Sequence, residues 1–211
     1  MTANGERRSR REERKEETRA ELISAAVKTF AEHGFHGASL EQVAREAGYS
    51  TGAIYWHFGG KDELFLAAFE QYALTRVAEL TEIHERTTGS FPERRRAFAD
   101  HWMARQTDPS FLVVSLEFLV HAWRKPHLRN GLAARHAAVR LALGRMLEED
   151  AANAGVELPM PAEEIATVMR ELGVGLALAR LADPDAVPDR LYGDFVQAFY
   201  ELVVSRAGQR S

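Results

Sequence analysis

GYSTGAIYWHFGGKDELF, residues 48–65, sets three side chains with polar tips, Tyr55, Trp56 and His57, next to each other. Ser50 is a favourable N-cap for a short helix that begins at Thr51. Tyr49 before the cap and Ile54 inside the helix are spaced as a hydrophobic staple. Ile54 and Phe58 share one face, which we expect to turn inward, whereas Thr51, Gly52, Tyr55 and Trp56 point largely away from it.

A second short helix is predicted just before this one, over residues 40–47. Ser39 is its N-cap, and Gln42 lies three residues later, which is the spacing of a capping box. Gly48 ends it, so that a three-residue turn containing a glycine separates the two helices. This pattern is typical of a helix-turn-helix.

The helix before the pair is predicted from about Arg14 to His33. Gly34 stands where a left-handed residue ends a helix, and Phe30 and Phe35 are spaced to touch across that end. We expect a disordered charged tail at 1–13 and a DNA-binding domain at 14–61.

The remaining chain, 62–211, is predicted as one helical ligand-binding and dimerisation domain. Apolar residues recur at helical spacing and no alternating strand pattern competes, so the fold class is all-α with about nine helices. Breaks carrying Pro or Gly separate the later helices. They are predicted at 62–85, 92–107, 110–124, 128–154, 162–181 and 189–205.

Composition limits the function classes. The 211 residues contain no Cys, which excludes disulfides and thiolate metal sites within this sequence. We expect a cytoplasmic protein, since no signal peptide and no membrane span is predicted. The net charge is −4, but residues 1–61 hold 10 Lys and Arg against 9 Asp and Glu. Any nucleic acid is therefore expected to bind the N-terminal third.

The outer face of the third helix has the chemistry to bind duplex DNA. Tyr55 and His57 suit phosphate oxygens at the edge of a major groove, and Thr51 can reach a base edge or a phosphate. Lys61 and Ser39 are each placed at a helix N-terminus, where phosphate binds well. The alternative is that the aromatic residues and His57 belong to a core or an interface.

Residues 21–65, taken whole, resemble the DNA-binding domain of the TetR family of transcriptional regulators. The matching positions are Gly34-Phe35, Ser39, Ala47-Gly48-Tyr49-Ser50, Gly52, Tyr55, Trp56, His57-Phe58 and Lys61. Tyr49 replaces a small aliphatic residue of the family, and Gly59-Gly60 replaces a more rigid or polar pair, which leaves the placement of Lys61 open.

The resemblance implies an all-helical homodimer whose third helix enters the major groove of a pseudo-palindromic operator. It also implies that the DNA contacts come from Ser39, Ser50, Thr51, Gly52, Tyr55, Trp56, His57 and Lys61.

A small-molecule effector is expected among the central helices. The candidate ligand-binding residues are Trp102, Phe118, Glu117, His121, Trp123 and Met169. Each of them could instead belong to an ordinary helical core. Glu117 and His121 lack a third metal-ligand partner at recognisable spacing, so we expect a surface pair or one polar ligand contact, and no metal.

The last two helices are candidates for the dimer interface. Small residues in ELGVGLALARLA, residues 171–182, leave room for close helix approach, and the final helix presents apolar residues at i, i+4 and i+7. The expected interface residues are Gly173, Ala177, Phe195, Phe199 and Leu202. Packing within a single subunit is the alternative.

No phosphate loop, nucleophile elbow or zinc motif occurs, so neither an enzyme nor a cofactor is expected. The sequence therefore predicts a ligand-responsive repressor that binds double-stranded DNA. An activator, and a helical dimer that has lost DNA binding, remain alternatives.

Overall fold

The computed structural model describes residues 3–104 and 109–208, and within these ranges it contains nine α-helices and no strand. The helices are α1 Ala3–Gly37, α2 Leu40–Ala47, α3 Thr51–Phe58, α4 Lys61–Arg86, α5 Phe91–Ala104, α6 Ser110–Trp123, α7 Pro126–Asn153, α8 Ala162–Ala182 and α9 Leu191–Gly208. A short 3-10 turn, Pro184–Ala186, precedes α9. The all-α prediction is confirmed.

The predicted bounds of α2 and α3 agree with the structure because strong local signals set them. The Ser39 side chain accepts the N–H of Gln42, and the Gln42 side chain accepts the N–H of Ser39, so the capping box is complete. Gly48 has φ +75°, the left-handed conformation that a helix end requires and that glycine adopts without strain. Ser50 then caps α3 by accepting the N–H of Ala53.

The start of α1 differs from the prediction. The backbone is helical from Ala3, so the part of the expected disordered tail that lies in the described range is helical, and only residues 1 and 2 fall outside it. Interleaved Arg, Lys and Glu are good helix formers, and Glu12 precedes Lys15 by three positions, the spacing of a favourable pair. The end of α1 agrees better: Gly34 has φ +72°, and the rings of Phe30 and Phe35 lie 6.1 Å apart.

The later helices differ from their predicted bounds by up to three residues at either end, with one exception. The predicted end of α5 at residue 107 lies outside the described residues. α7 begins at Pro126, two residues earlier than predicted, because proline is well suited to the first position of a helix.

Packing divides the described residues into two units, one from Met1–Tyr72 with Ser110–Ala133 and the other from Ala73–Pro109 with Ala134–Ser211. This division does not follow the boundary predicted after residue 61. The reason is that the start of α4 and most of α6 share a core with α1. A functional boundary near residue 61 stays a prediction.

An aromatic cluster forms the centre of the first unit. Phe65 stacks on Phe118 with ring centroids 4.2 Å apart, and Phe35 meets Phe118 edge-on at 5.1 Å. Phe30 and Phe65 meet at 5.0 Å. Phe30, Phe65 and Phe118 are fully buried, so α6 is a structural part of the body that carries α2 and α3.

In the second unit, α5 packs along α9. Phe91 and Tyr200 meet edge-on at 5.1 Å. Below them Asp150 accepts Arg94 Nε at 2.8 Å, and its second oxygen lies 2.9 Å from Arg95 Nε. Two guanidinium groups therefore share one buried carboxylate.

Two small residues that were predicted at the dimer interface, Gly173 and Ala177, lie in the core of the second unit instead. A Cβ on Gly173 would lie 2.7 Å from Trp102 Nε1, so the missing side chain lets the indole pack against α8. The sequence pattern of small residues thus serves a contact within the chain.

None of the helices among the described residues has the length and apolar character that crossing a membrane requires.

Candidate nucleic-acid interface

α3 has one buried face and one free face. Ile54 is 0% exposed and Phe58 is 9% exposed, whereas Tyr55 is 58% and Trp56 is 65% exposed. Large aromatic side chains that stay in solvent while their helix is anchored in a core are typical of a binding surface. The predicted orientation of this helix is confirmed.

The first turn of α3 is open to approach. Ser50 and Gly52 are exposed, and the nearest atom to a Cβ built on Gly52 is the capping oxygen of Ser50 at 3.5 Å. Thr51 lies beside them and is partly exposed. A bare N-terminal turn with free N–H groups is a favourable place for a phosphate or a base edge.

Cations of α1 border this face, and the sequence reasoning did not place them there. Lys15 Nζ lies 5.3 Å from the centre of the Trp56 ring, and the Arg19 guanidinium lies 5.4 Å from that of Phe58. The excess of basic residues near the N-terminus was the available signal, but its position became clear only once α1 was seen to begin at Ala3.

His57 is the partly buried member of the aromatic trio. Its ring meets the Trp56 ring edge-on at 4.4 Å, and its Nδ1 is buried without a hydrogen-bond partner among the described residues. Burial lowers the pKa of His57, and the charges of Lys15 and Arg19 lower it further. His57 is therefore more readily neutral here than a free histidine, which leaves Lys15 and Arg19 as the cations beside the exposed aromatic residues.

Lys61 lies back against α1. Its Nζ donates to the carbonyl oxygen of His36 at 3.4 Å and lies 4.9 Å from the centre of the Phe35 ring. Burial lowers the pKa of Lys61, although Asp62 and Glu117 oppose the shift. A phosphate contact by Lys61 stays a prediction, and it would require the ammonium group to leave this carbonyl.

Ser39 has a role that competes with phosphate binding. Its side-chain oxygen accepts the N–H of Gln42 at 3.2 Å and closes the capping box of α2. Its contact with DNA also stays a prediction.

Polar side chains of α6 join the helix-turn-helix. Asp62 accepts hydrogen bonds from His121 Nε2 at 2.9 Å and from Lys125 Nζ at 2.7 Å. Burial works to raise the pKa of Asp62, but the hydrogen bonds from Lys125 and His121 outweigh it and hold the pKa below its usual range. Glu117 accepts the backbone N–H of Phe35 at 2.7 Å.

The predicted ligand set divides between the two units. Trp102 and Met169 line a cavity of about 50 Å³ in the second unit. Phe118 lies in the aromatic core of the first unit, Glu117 and His121 bind α1 and α4 there, and Trp123 is 70% exposed. These four do not line the cavity, because the face of α6 that carries Glu117, Phe118 and His121 packs on α1 and α4.

The predicted interface residues of α9 differ in exposure. Phe195 is 49% and Leu202 is 62% exposed, whereas Phe199 is partly buried against the core of the second unit. Val168 of α8, which was not predicted, is 57% exposed. Among the described residues no group of three or more His, Asp or Glu side chains could hold a metal ion.

Comparison with known proteins agrees with the geometry. Residues 22–68 match the bacterial regulatory proteins of the tetR family. The chain is 50% identical over 52 residues to the HTH-type transcriptional regulator SrpR of Pseudomonas putida, which is 25% of this chain and 24% of SrpR. It is 44% identical over 62 residues to the HTH-type transcriptional repressor AcnR of Corynebacterium efficiens, which is 29% of this chain and 32% of AcnR.

A crystal structure of a candidate transcriptional regulator from Pseudomonas aeruginosa PAO1 is similar over most of the chain. It has a TM-score of 0.71 and 26% identity, and the match covers 92% of this chain and 94% of that one. The curated relatives match over only about a quarter to a third of their length. The resemblance inferred from residues 21–65 is confirmed.

Proposed function

We propose a function for this chain, whose residues 22–68 are a DNA-binding segment of the tetR family: it is a homodimeric transcriptional repressor that a small molecule releases from its operator. It would act in the cytoplasm, where bacterial DNA lies. The observation that carries the proposal is the exposure of Tyr55 and Trp56 on a helix that Ile54 and Phe58 anchor in a core.

DNA binding follows from the shape and charge of this surface. α3 is short and ends in Gly59, which has φ +80°, so the chain turns away at once and leaves the helix free to enter a major groove. Lys15 and Arg19 stand beside it to neutralise phosphates. Two copies of α3, one from each subunit, would contact half-sites about one helical turn or more apart.

Dimerisation is supported by the exposed apolar residues of α8 and α9. Val168, Phe195 and Leu202 are each about half exposed or more, and an apolar face on consecutive helices is well suited to a two-fold interface.

Release by a ligand requires two states with different ligand affinity, because a ligand that binds both states equally shifts nothing. The cavity in the second unit is the proposed ligand site. An activator that uses the same DNA surface is the second candidate, and the sign of the regulatory effect on a reporter gene distinguishes it from a repressor.

Fluorescence anisotropy tests DNA binding directly. The full chain is titrated onto DNA from upstream of its own gene and onto unrelated DNA of equal length, over a range of salt concentrations. We expect tight, selective binding with two subunits per site. Equally weak binding to both DNAs, with the same steep salt dependence, would contradict an operator at that place.

A further inference from the structure

The cavity in the second unit has a chemical bias that the proposed function does not use. Among the described residues that line it, two are arginines, Arg95 and Arg170, and none is an Asp or Glu. Much of the remaining wall is apolar and includes Phe98, Leu143 and Leu147. The site therefore combines an apolar wall with groups that only donate hydrogen bonds.

Two of these donors lack an acceptor. Trp102 Nε1 and Arg170 Nε are buried and have no hydrogen-bond partner among the described residues. An indole N–H and a guanidinium N–H can donate but cannot accept. Leaving such groups unpaired in a protein interior is costly, so an acceptor that enters the cavity gains the hydrogen bonds that the protein itself does not supply.

Arg95 adds positive charge at the same wall. It is 6% exposed and shares the Asp150 carboxylate with Arg94, so the three groups together keep one unbalanced positive charge. Arg95 Nε lies 2.9 Å from Asp150 Oδ2 but outside hydrogen-bond geometry. Arg170 is partly neutralised by Glu171, which its guanidinium contacts outside the cavity lining.

We infer that the effector of this protein is a small organic carboxylate with an apolar body, whose carboxylate accepts from Trp102 and Arg170 while its body contacts the apolar wall. This inference rests on the proposed function, since it names the ligand class of the proposed effector site. The volume of about 50 Å³ accommodates the carboxylate and a short carbon segment. A longer body would displace Met169, whose flexible side chain lines the cavity.

Nuclear magnetic resonance of the indole N–H groups tests this on the full chain. The chain has three Trp residues, and Trp56 and Trp123 are exposed, so their signals are internal controls; Trp102→Phe assigns the third. The probes are propionate, butyrate and hexanoate, the alcohols of equal length, and inorganic phosphate. We expect at least one carboxylate at millimolar concentration to move the Trp102 signal, while its alcohol and phosphate leave it in place.

A matched pair of variants identifies the donor. Arg170→Met is expected to weaken carboxylate binding about tenfold, the usual effect of losing one hydrogen bond to a charged group. Arg145→Met, which changes an exposed arginine of α7, is expected to leave it unchanged. The comparison of carboxylate with alcohol on the unaltered chain needs no variant, so it stands even if Arg170→Met fails to fold.

Two results would overturn the inference: equal shifts of the Trp102 signal by alcohol and carboxylate, or no shift by any carboxylate, which would assign the donors to water alone. Operator binding is measured on the same sample. Firm operator binding without carboxylate binding removes only this inference. Carboxylate binding without selective DNA binding supports it and removes the regulator.

Discussion

The carboxylate of Glu117 accepts the backbone N–H of Phe35 at 2.7 Å, although 82 residues separate the two in sequence. Phe35 directly follows Gly34, where α1 departs from helical geometry. A Cβ on Gly34 would lie 2.9 Å from Glu117 Oε2, so the glycine provides both the positive φ and the room for this carboxylate. α6 is thereby fixed to the helix that leads into the helix-turn-helix.

Glu117→Ala is expected to destabilise the protein by about 1–3 kcal/mol, because it leaves the Phe35 N–H partly buried without its acceptor. Glu117→Gln keeps an acceptor oxygen in the same place and is expected to lose less. Urea unfolding of the two variants measures the difference. Equal losses would show that charge, and not the hydrogen bond, holds the contact.

Two neighbouring residues of α3 are expected to separate binding from folding. Tyr55→Ala removes an exposed ring and is expected to abolish tight operator binding with a change in unfolding free energy within about 0.5 kcal/mol. Ile54→Ala removes a fully buried side chain and is expected to cost about 2–5 kcal/mol. Anisotropy and thermal unfolding measure both variants. A large fall in the melting temperature of Tyr55→Ala would show that its ring is part of the core.

Lys61→Ala tests whether the ammonium group reaches a phosphate. We expect binding to all DNA to weaken about equally and the slope of log affinity against log salt to fall by about 1. Lys28→Ala, which breaks an exposed pair with Glu46, is the control and is expected to keep the slope. An unchanged slope for Lys61→Ala would leave this lysine in its contact with the His36 carbonyl.

Asp62 is expected to make stability depend on pH. Hydrogen bonds from Lys125 and His121 hold its pKa below the ordinary value of 3.8 in spite of burial. Because the folded state lowers the pKa, this contribution is fully present above the ordinary value and is lost as the pH falls through the folded value. Solvent screening keeps it to about 1 kcal/mol or less.

Unfolding by urea between about pH 3 and pH 7 measures the Asp62 contribution. Asp62→Asn is expected to be less stable at neutral pH and to lose less stability on acidification than the unaltered chain. Glu63→Gln, at the exposed neighbouring position, serves as the control. Parallel pH profiles for Asp62→Asn and the unaltered chain would contradict the linkage.

Two glycines of α8 are expected to respond in opposite ways to alanine. Gly175 is exposed with no atom within 4 Å of a built Cβ, so Gly175→Ala gains about 1 kcal/mol of helix propensity and a few degrees of melting temperature. Gly173→Ala places a methyl group 2.7 Å from Trp102 Nε1, so strain outweighs that gain and the melting temperature falls. Gel filtration checks that both variants keep the same assembly. Equal gains for both would place the Trp102 ring elsewhere.

The parts of this fold that were predictable have causes within a few residues of each other. Ser39 and Gln42 close a capping box across three positions, and Gly34, Gly48 and Gly59 end helices through their own φ angles. The inward face of α3 follows from the spacing of Ile54 and Phe58. The start of α1 was missed because its mixed charges were taken as a solvated tail, although the same residues favour a helix.

Local sequence alone determined the helix-turn-helix, its caps and the outward face of α3, because backbone hydrogen bonds and helical periodicity depend on nearby residues. Only the tertiary structure decided where α6 packs, which partner Glu117 takes and that Gly173 faces Trp102. Those contacts join residues that are tens of positions apart. Helical periodicity gives the face on which a side chain lies, but it does not give the element that covers that face.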